Sequence, residues 1–187
     1  MQTIILASSS LQRQEYFKVM GLPFIVRLPP VEETYPTGLS PRQVVKRLAI
    51  QKVLAVADDD MWIFGADTII SIDDFLFGKP KDRADAKRML SVLNGRVHRA
   101  VTGIALMSDR GLASNSVESE VEFIDMSDAE MEWYLDSRDW EGVAGAYKIQ
   151  GLTGCFICSI KGSFSNIVGL PMRETYQMLE SAKYFCR

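Results

Sequence analysis

Residues 3–7 read Thr-Ile-Ile-Leu-Ala and run straight into three serines, Ser8, Ser9 and Ser10. A short, almost wholly apolar run bounded by polar residues predicts a short buried strand. The serines predict a helix start immediately after it. That helix is expected to run to about Met20 with Gly21 as its C-cap, and Ser9 and Gln12 have the spacing of a capping box. A buried strand feeding a helix is the first step of the strand–helix alternation that points to an α/β fold.

The rest of the chain repeats the theme. Ser40-Pro41-Arg42-Gln43 combines an N-cap, an N1 proline and an N3 glutamine. It predicts a helix to about Ala57 with Val44, Val45, Leu48, Ala49, Val53 and Val56 on its apolar face. A strand from Met61 to Phe64 meets Gly65-Ala66-Asp67-Thr68 and continues through 69–72, with Asp73-Asp74 as a turn. Asp82 and Asp85 open a third helix that carries Ala86, Met89, Leu90 and Leu93 and ends at Asn94-Gly95. Strands are predicted over 97–107 and 116–126, the second alternating Val117, Val121 and Phe123 with Glu118, Glu120 and Glu122. Ser127 and Glu130 form another capping box for a helix to about Asp136. A glycine-rich stretch over 142–154 precedes a strand near 156–160, and Pro171 starts a last helix to about Ala182. Helices alternate with strands early and hairpins follow late, so the expectation is one domain over 1–187, a mixed twisted sheet with flanking helices.

Lysine plus arginine number 21 and aspartate plus glutamate 24, a net charge of −3. That balance argues against a nucleic-acid polymer as the partner and leaves room for one small anion in a locally basic pocket. No run approaches the ~18 apolar residues of a membrane span, and no basic residue precedes the apolar run at 3–7, so a cytoplasmic location is expected. Of the three cysteines, Cys155 and Cys158 form a single C-x-x-C in a strand-like run, where i and i+3 point to opposite faces. They and Cys186 are expected to be buried, inert thiols. A lone histidine, His98, excludes a two-histidine zinc site, and neither a G-x-S-x-G elbow nor a P-loop is present. His98 is expected to be structural.

Five groups of residues can carry chemistry. Ser8, Ser10 and Arg13 open a helix behind a buried strand, where free N–H groups and hydroxyls seat phosphate; equally, the serines cap and Arg13 is solvated. Asp67 follows an apolar strand, a place for a carboxylate that binds Mg²⁺ or activates water, or simply a turn residue. Glu32-Glu33 follow Pro29-Pro30 and offer either a metal ligand or a solvated pair. Lys52 sits at the edge of an apolar helix face and Lys79 in the turn Gly78-Lys79-Pro80; both suit a polyphosphate, and neither spacing is specific. Gln150 in Tyr147-Lys148-Ile149-Gln150-Gly151 can read a base edge.

The order of these motifs is more telling than any one of them. Leu6-Ala-Ser-Ser-Ser-Leu-Gln-Arg13, Glu32-Glu33, Leu48-Ala-Ile-Gln-Lys52, Gly65-Ala-Asp-Thr-Ile69 and Gly78-Lys-Pro80 are followed by Met89-Leu90, Gly95-x-x-His98 and Thr102-Gly103. Ala144-Gly-Ala-Tyr-Lys-Ile-Gln-Gly151 and Gly162-Ser-Phe-Ser-Asn-Ile-Val-Gly-Leu-Pro171 close the series. From about residue 4 to 180 the chain resembles the Maf family of septum-formation-associated nucleotide pyrophosphatases. The resemblance implies an inosine triphosphatase-like (Maf/Ham) fold with a nucleotide cleft, and conversion of nucleoside triphosphates to monophosphates and pyrophosphate with a divalent cation, Mg²⁺ or Mn²⁺. It implies that Asp67 is the catalytic proton acceptor, that Ser8, Ser10, Arg13, Lys52 and Lys79 line the phosphate site together with Glu33, and that Glu33 and Asp67 hold the metal. It also implies that Gln12, Thr68 and Gln150 sort substrates. Thr68 and Gln150 agree with the dTTP/UTP branch, whereas Gln12 replaces that branch's usual arginine and the tryptophan of the 7-methyl-GTP branch. Lys148 replaces a frequent glycine and Val143 a frequent basic residue. A homodimer is expected by the same resemblance. The alternatives are a pyrophosphatase of the 7-methyl-GTP branch and a non-catalytic nucleotide-binding regulator of cell division.

Overall fold

A computed structural model describes residues 1–57 and 62–185. Met61, the expected start of the second strand, and Cys186 lie outside the described residues. The strands are β1 (Ile4–Leu6), β2 (Phe24–Val26), β3 (Trp62–Ile72), β4 (Phe75–Phe77), β5 (Val97–Ser108), β6 (Gly111–Phe123) and β7 (Ile157–Lys161). The helices are α1 (Leu11–Val19), α2 (Pro41–Leu54), α3 (Arg83–Leu93), α4 (Asp128–Asp136), α5 (Phe164–Val168) and α6 (Met172–Ser181). One seven-stranded mixed sheet runs β2-β1-β3-β5-β6-β7, with β4 paired to β3. The α/β class with a mixed sheet and helices is therefore as expected.

Two compact units share the long strands: one comprises Met1–Asp67, Thr102–Val117 and Gly169–Arg187, the other Thr68–Val101 and Glu118–Val168. In the first, β1 pairs parallel with both β2 and β3. Its side chains go alternately to two cores. Ile4 and Leu6 join Phe17, Phe64, Ile104 and Leu179, and Ile5 and Ala7 join Ala49, Val53, Ile63 and Ala105. Burial on both faces is the physical reason for the unbroken apolar run. Phe17 meets Phe24 and Phe64 edge-on at 5.5 and 5.3 Å between ring centres, the geometry that aromatic quadrupoles favour.

Helix α2 lies on the sheet at two glycines. A Cβ on Gly103 would stand 2.2 Å from the Val45 carbonyl oxygen, and one on Gly65 would stand 2.7 Å from that of Ala49. Both lie far inside any tolerated contact, so only glycine lets backbone meet backbone here. The capping box of α2 forms in full, Ser40 Oγ accepting from the Gln43 N–H while the Gln43 side chain accepts from Ser40 N–H.

Several local expectations need correction. The N-cap of α1 is Ser10, not Ser9: Ser10 Oγ accepts from the Arg13 N–H. The Ser9–Gln12 spacing is one residue out of phase with the helix. Helix α2 ends at Leu54, three residues early, with Ala55 as its C-cap. Strand β6 begins at Gly111, and its innermost positions are Ser119, Val121 and Phe123, with Val117 only half-buried. Strands β2 and β4 and helix α5 are too short to carry a readable period. Cys155 and Cys158 are both exposed rather than buried. Cys155 sits in a 3₁₀ turn, Leu152–Phe156, and Cys158 lies on β7, which among the described residues pairs with β6 alone and ends the sheet. An edge strand has no second neighbour to cover it, so an apolar sequence there does not imply burial.

The second unit is built around Ile70, Leu90, Leu93, Phe123, Tyr134 and Phe156. His98 is buried in it, its ring edge-on to Phe123 and Tyr147, and Nε2 lies 2.9 Å from the Tyr147 hydroxyl. It is structural, as expected. Burial holds its pKa down at about 4, against 6.5 for a free imidazole. A group whose pKa falls on folding contributes stability above its unfolded value and loses it as pH drops toward the folded one. At ~1.4 kcal/mol per unit, the loss between pH 6.5 and 4 is about 3 kcal/mol. The unfolding free energy of His98→Gln, measured in urea, should therefore gain about that much relative to the parent protein between pH 7 and pH 4.

Candidate active site

The first unit brings six of the expected residues together, Ser8, Ser10, Arg13, Glu33, Lys52 and Asp67, from the chain that leads β1 into α1, the loop after Pro30, α2 and β3. Strand β1 ends where Leu6 pairs with Phe64, and the Ala7 N–H still reaches the Phe64 carbonyl at 2.8 Å. The chain then leaves the sheet through Ser8–Ser10 into α1, while β3 continues past it. Asp67 was expected just beyond a strand. It lies inside β3, three residues beyond the end of its parallel neighbour, and is 2% exposed. The carboxyl end of β1, not that of β3, is what opens the site.

Arg13 points inward from the first turn of α1. Its Nη1 donates to Ser8 Oγ and its Nε to the Gly169 carbonyl, both at 2.9 Å. Ser8 Oγ also accepts from the Ser10 N–H. Gly169 adopts φ 117°, a left-handed value that favours glycine. Burial lowers the Arg13 pKa, and nearby Asp67 and Glu33 oppose the change; a guanidinium remains charged regardless. Ser10 Oγ donates to Gln12 Oε1 at 3.1 Å, tying Gln12 to the same turn.

Lys52, three residues after Ala49 on α2, is 7% exposed and bridges two carboxylates. Its Nζ donates to Glu33 Oε1 at 2.7 Å and to Asp67 Oδ1. The close seat of α2 at Gly65 carries Lys52 to β3 at this level. Asp67 Oδ2 is buried without a hydrogen-bond partner. Burial raises the Asp67 pKa most, Glu33 adds to this, and Lys52 and Arg13 pull the other way. Glu33 is half-buried while its neighbour Glu32 is exposed, so only the second of the acidic pair enters the cluster.

Tyr35 was not singled out by any motif. Burial first, then Asp67 and Glu33, hold its phenol well above the ordinary tyrosine value, so it stays a hydroxyl donor beside the carboxylates. Its place two residues after Glu33 is the one sequence signal that could have flagged it. Thr68, Lys79 and Gln150 belong to the second unit: Thr68 is half-buried on β3, and Lys79 and Gln150 are exposed. A cavity of about 400 Å³ bordered by Leu106, Arg110, Glu174, Gln177 and Met178 contains none of these residues.

Among the described residues no three His, Cys, Asp or Glu side chains converge as a ready metal cage. The orphaned Asp67 Oδ2 beside Glu33 nevertheless suits a hard cation that keeps most of its own waters, as Mg²⁺ does. Removing one partner from a buried ion pair typically costs ~3 kcal/mol or more. Lys52→Met should lower the urea-unfolding free energy at pH 7 by about 3 kcal/mol. The gap should narrow as pH falls, because a protonated Asp67 no longer needs a counter-charge.

The profile of Maf-like proteins matches residues 3–182. A dTTP/UTP pyrophosphatase of Symbiobacterium thermophilum is 42% identical over 187 residues, covering 98% of this chain and 96% of the relative. One from Shewanella oneidensis is 41% identical over 189 residues, covering 96% and 97%. Among solved structures, the Ham1 protein of Staphylococcus aureus superposes with a TM-score of 0.50 at 18% identity, over 66% of this chain and 73% of that one. That likeness bears on the fold alone and agrees with the expected Ham-like architecture. The match across nearly all of the sequence, with the motif residues gathered around Asp67, makes this chain a member of the Maf family.

Proposed function

We propose that this protein hydrolyses nucleoside triphosphates to monophosphates and pyrophosphate, with dTTP and UTP as its substrates. The names carried by relatives of about 40% identity support the substrate pair. The observation that carries the chemistry is Asp67, a buried carboxylate with one oxygen tied to Lys52 and the other unpartnered. A raised pKa makes it a stronger base than a solvated aspartate.

In this reading the N-terminus of α1, the Ser8 and Ser10 hydroxyls and Arg13 bind the phosphate oxygens. Asp67 Oδ2 orients a water toward the α-phosphorus and takes its proton. The new P–O bond forms as the bond to the bridging oxygen of the β-phosphate breaks, and pyrophosphate leaves. Lys52 holds Asp67 in place and, with Arg13, offsets the charge of the triphosphate. Glu33 and Asp67 would hold Mg²⁺ or Mn²⁺, which when bound polarises the phosphoryl group and neutralises the leaving pyrophosphate. Lys79 is assigned a further phosphate contact and Thr68 and Gln150 the sorting of bases, by resemblance. The homodimer and the cytoplasmic location are proposals of the same kind; among the described residues no helix is long and apolar enough to cross a membrane.

Asp67→Asn should lower kcat/KM for dTTP by ~10²–10⁴-fold, the usual worth of a general base, with an unchanged circular-dichroism spectrum. Parent-like turnover would overturn the assignment. Nucleotide binding by the parent protein without pyrophosphate release from dTTP, UTP, CTP or 7-methyl-GTP would favour the cell-division regulator instead. Gln12→Arg should raise the kcat/KM ratio of dTTP and UTP over 7-methyl-GTP. Unchanged ratios would remove Gln12 from the specificity set.

A further inference from the structure

The two exposed cysteines do not lie as a strand would place them. Cys155 is in the 3₁₀ turn that ends at Phe156, and Ile157 then takes φ −93° and ψ 119°. A right-handed helical residue followed by an extended one is the dihedral pair of a type VIII turn, with Cys155 first and Cys158 fourth. A β-turn holds its first and fourth Cα atoms within ~7 Å, and disulfides span Cα separations of ~4.4–6.8 Å. The strand register adds to this. Phe123 pairs with Ile157 and Glu122 with Ser159, so Cys158 is the extra residue of a β-bulge. A bulge rotates its residue out of the regular alternation, which removes the opposite-face objection to a C-x-x-C. Phe156 between the two thiols is buried, whereas Cys155 and Cys158 both reach solvent.

We infer that Cys155 and Cys158 form a redox-active dithiol, a modification site that closes to an intramolecular disulfide by exchange with a small-molecule disulfide such as oxidised glutathione. One thiolate attacks a glutathione sulfur and expels a glutathione thiolate. The second cysteine thiolate then attacks the resulting mixed disulfide at the protein sulfur and expels the other glutathione. Two protein thiols are oxidised by two electrons, one disulfide is reduced, and the two protons end on the two glutathione thiols. The closed ring links the 3₁₀ turn to the first residues of β7, in the segment that begins just after Gln150.

The test uses full-length Cys186→Ser protein, so that only this pair reacts, incubated with oxidised glutathione and then alkylated before peptide mass spectrometry. The expected product is one peptide containing both cysteines, two hydrogens lighter, without alkylation and without glutathione. Cys155→Ser and Cys158→Ser in that background should each give a stable glutathione adduct on the remaining thiol, reversed by a thiol reductant. Two alkylated cysteines, or two glutathione adducts on the same peptide, would overturn the inference. A disulfide linking two protein molecules would overturn it as well.

Discussion

The approach of α2 to the sheet is the constraint on which the site depends. A helix normally stands off a sheet by the thickness of its side chains. Here the Val45 and Ala49 carbonyls come down onto Gly103 and Gly65 with no room for a methyl group. The contact is apolar elsewhere, with Val53, Ala49, Ile63 and Ala105 forming one core. That close seat lets Lys52, a residue whose stem could otherwise carry its ammonium to solvent, reach carboxylates on β3 and on the loop after Pro30. Packing thus decides the electrostatics: the same lysine on a helix raised by one methyl layer would lose the short bridge to Asp67.

The acidic chain and its handling of a polyanion are reconciled at this scale. Net charge acts over many ångströms and is screened by salt. Two cations, Arg13 and Lys52, face two carboxylates, Glu33 and Asp67, in largely buried positions. The cluster is balanced as it stands. A triphosphate arriving alone would upset that balance, and a divalent cation arriving with it restores it. The excess of acidic residues over the whole molecule says little about this pocket, because the charges that matter are few and shielded from bulk water.

Much of this was legible in the sequence, and for identifiable reasons. Helix starts at Ser40, Asp82 and Ser127 were readable because a side-chain cap is a local interaction with fixed spacing. The buried strand was readable because an unbroken apolar run has few other homes; that both of its faces are covered was a finding of the structure. What failed was non-local. Asp67 looked like a residue after a strand because Gly65 interrupts the β-branched pattern, yet that glycine serves contact with α2 and the strand runs on. Gly103 was visible only as a member of a motif, its partner lying near Val45 in another element. The cysteines were misread because an apolar run on an edge strand looks like one in the middle of a sheet until the neighbours are known. Tyr35 was marked only by its place two residues after Glu33, since proximity to Asp67 is a property of the fold and not of its loop.

The site residues are also those least suited to stability. Burying Arg13, Lys52 and Asp67 costs desolvation that pairing repays only in part, and an unpartnered carboxylate oxygen costs more. The first unit bears this load because β1 is buried on both faces and flanked by parallel partners, so that Ile4, Ile5, Leu6 and Ala7 are wholly buried. Successive apolar residues of that strand serve two cores in alternation, and the chain turns from strand to helix only three residues further on. The serines that make the turn are then fixed from behind by that fully buried strand. A phosphate-binding turn needs such rigidity, since hydroxyls and N–H groups that must first be ordered lose binding energy to entropy. The apolar run that begins the chain therefore acts on the chemistry indirectly, by holding Ser8, Ser10 and Arg13 where an anion can meet them.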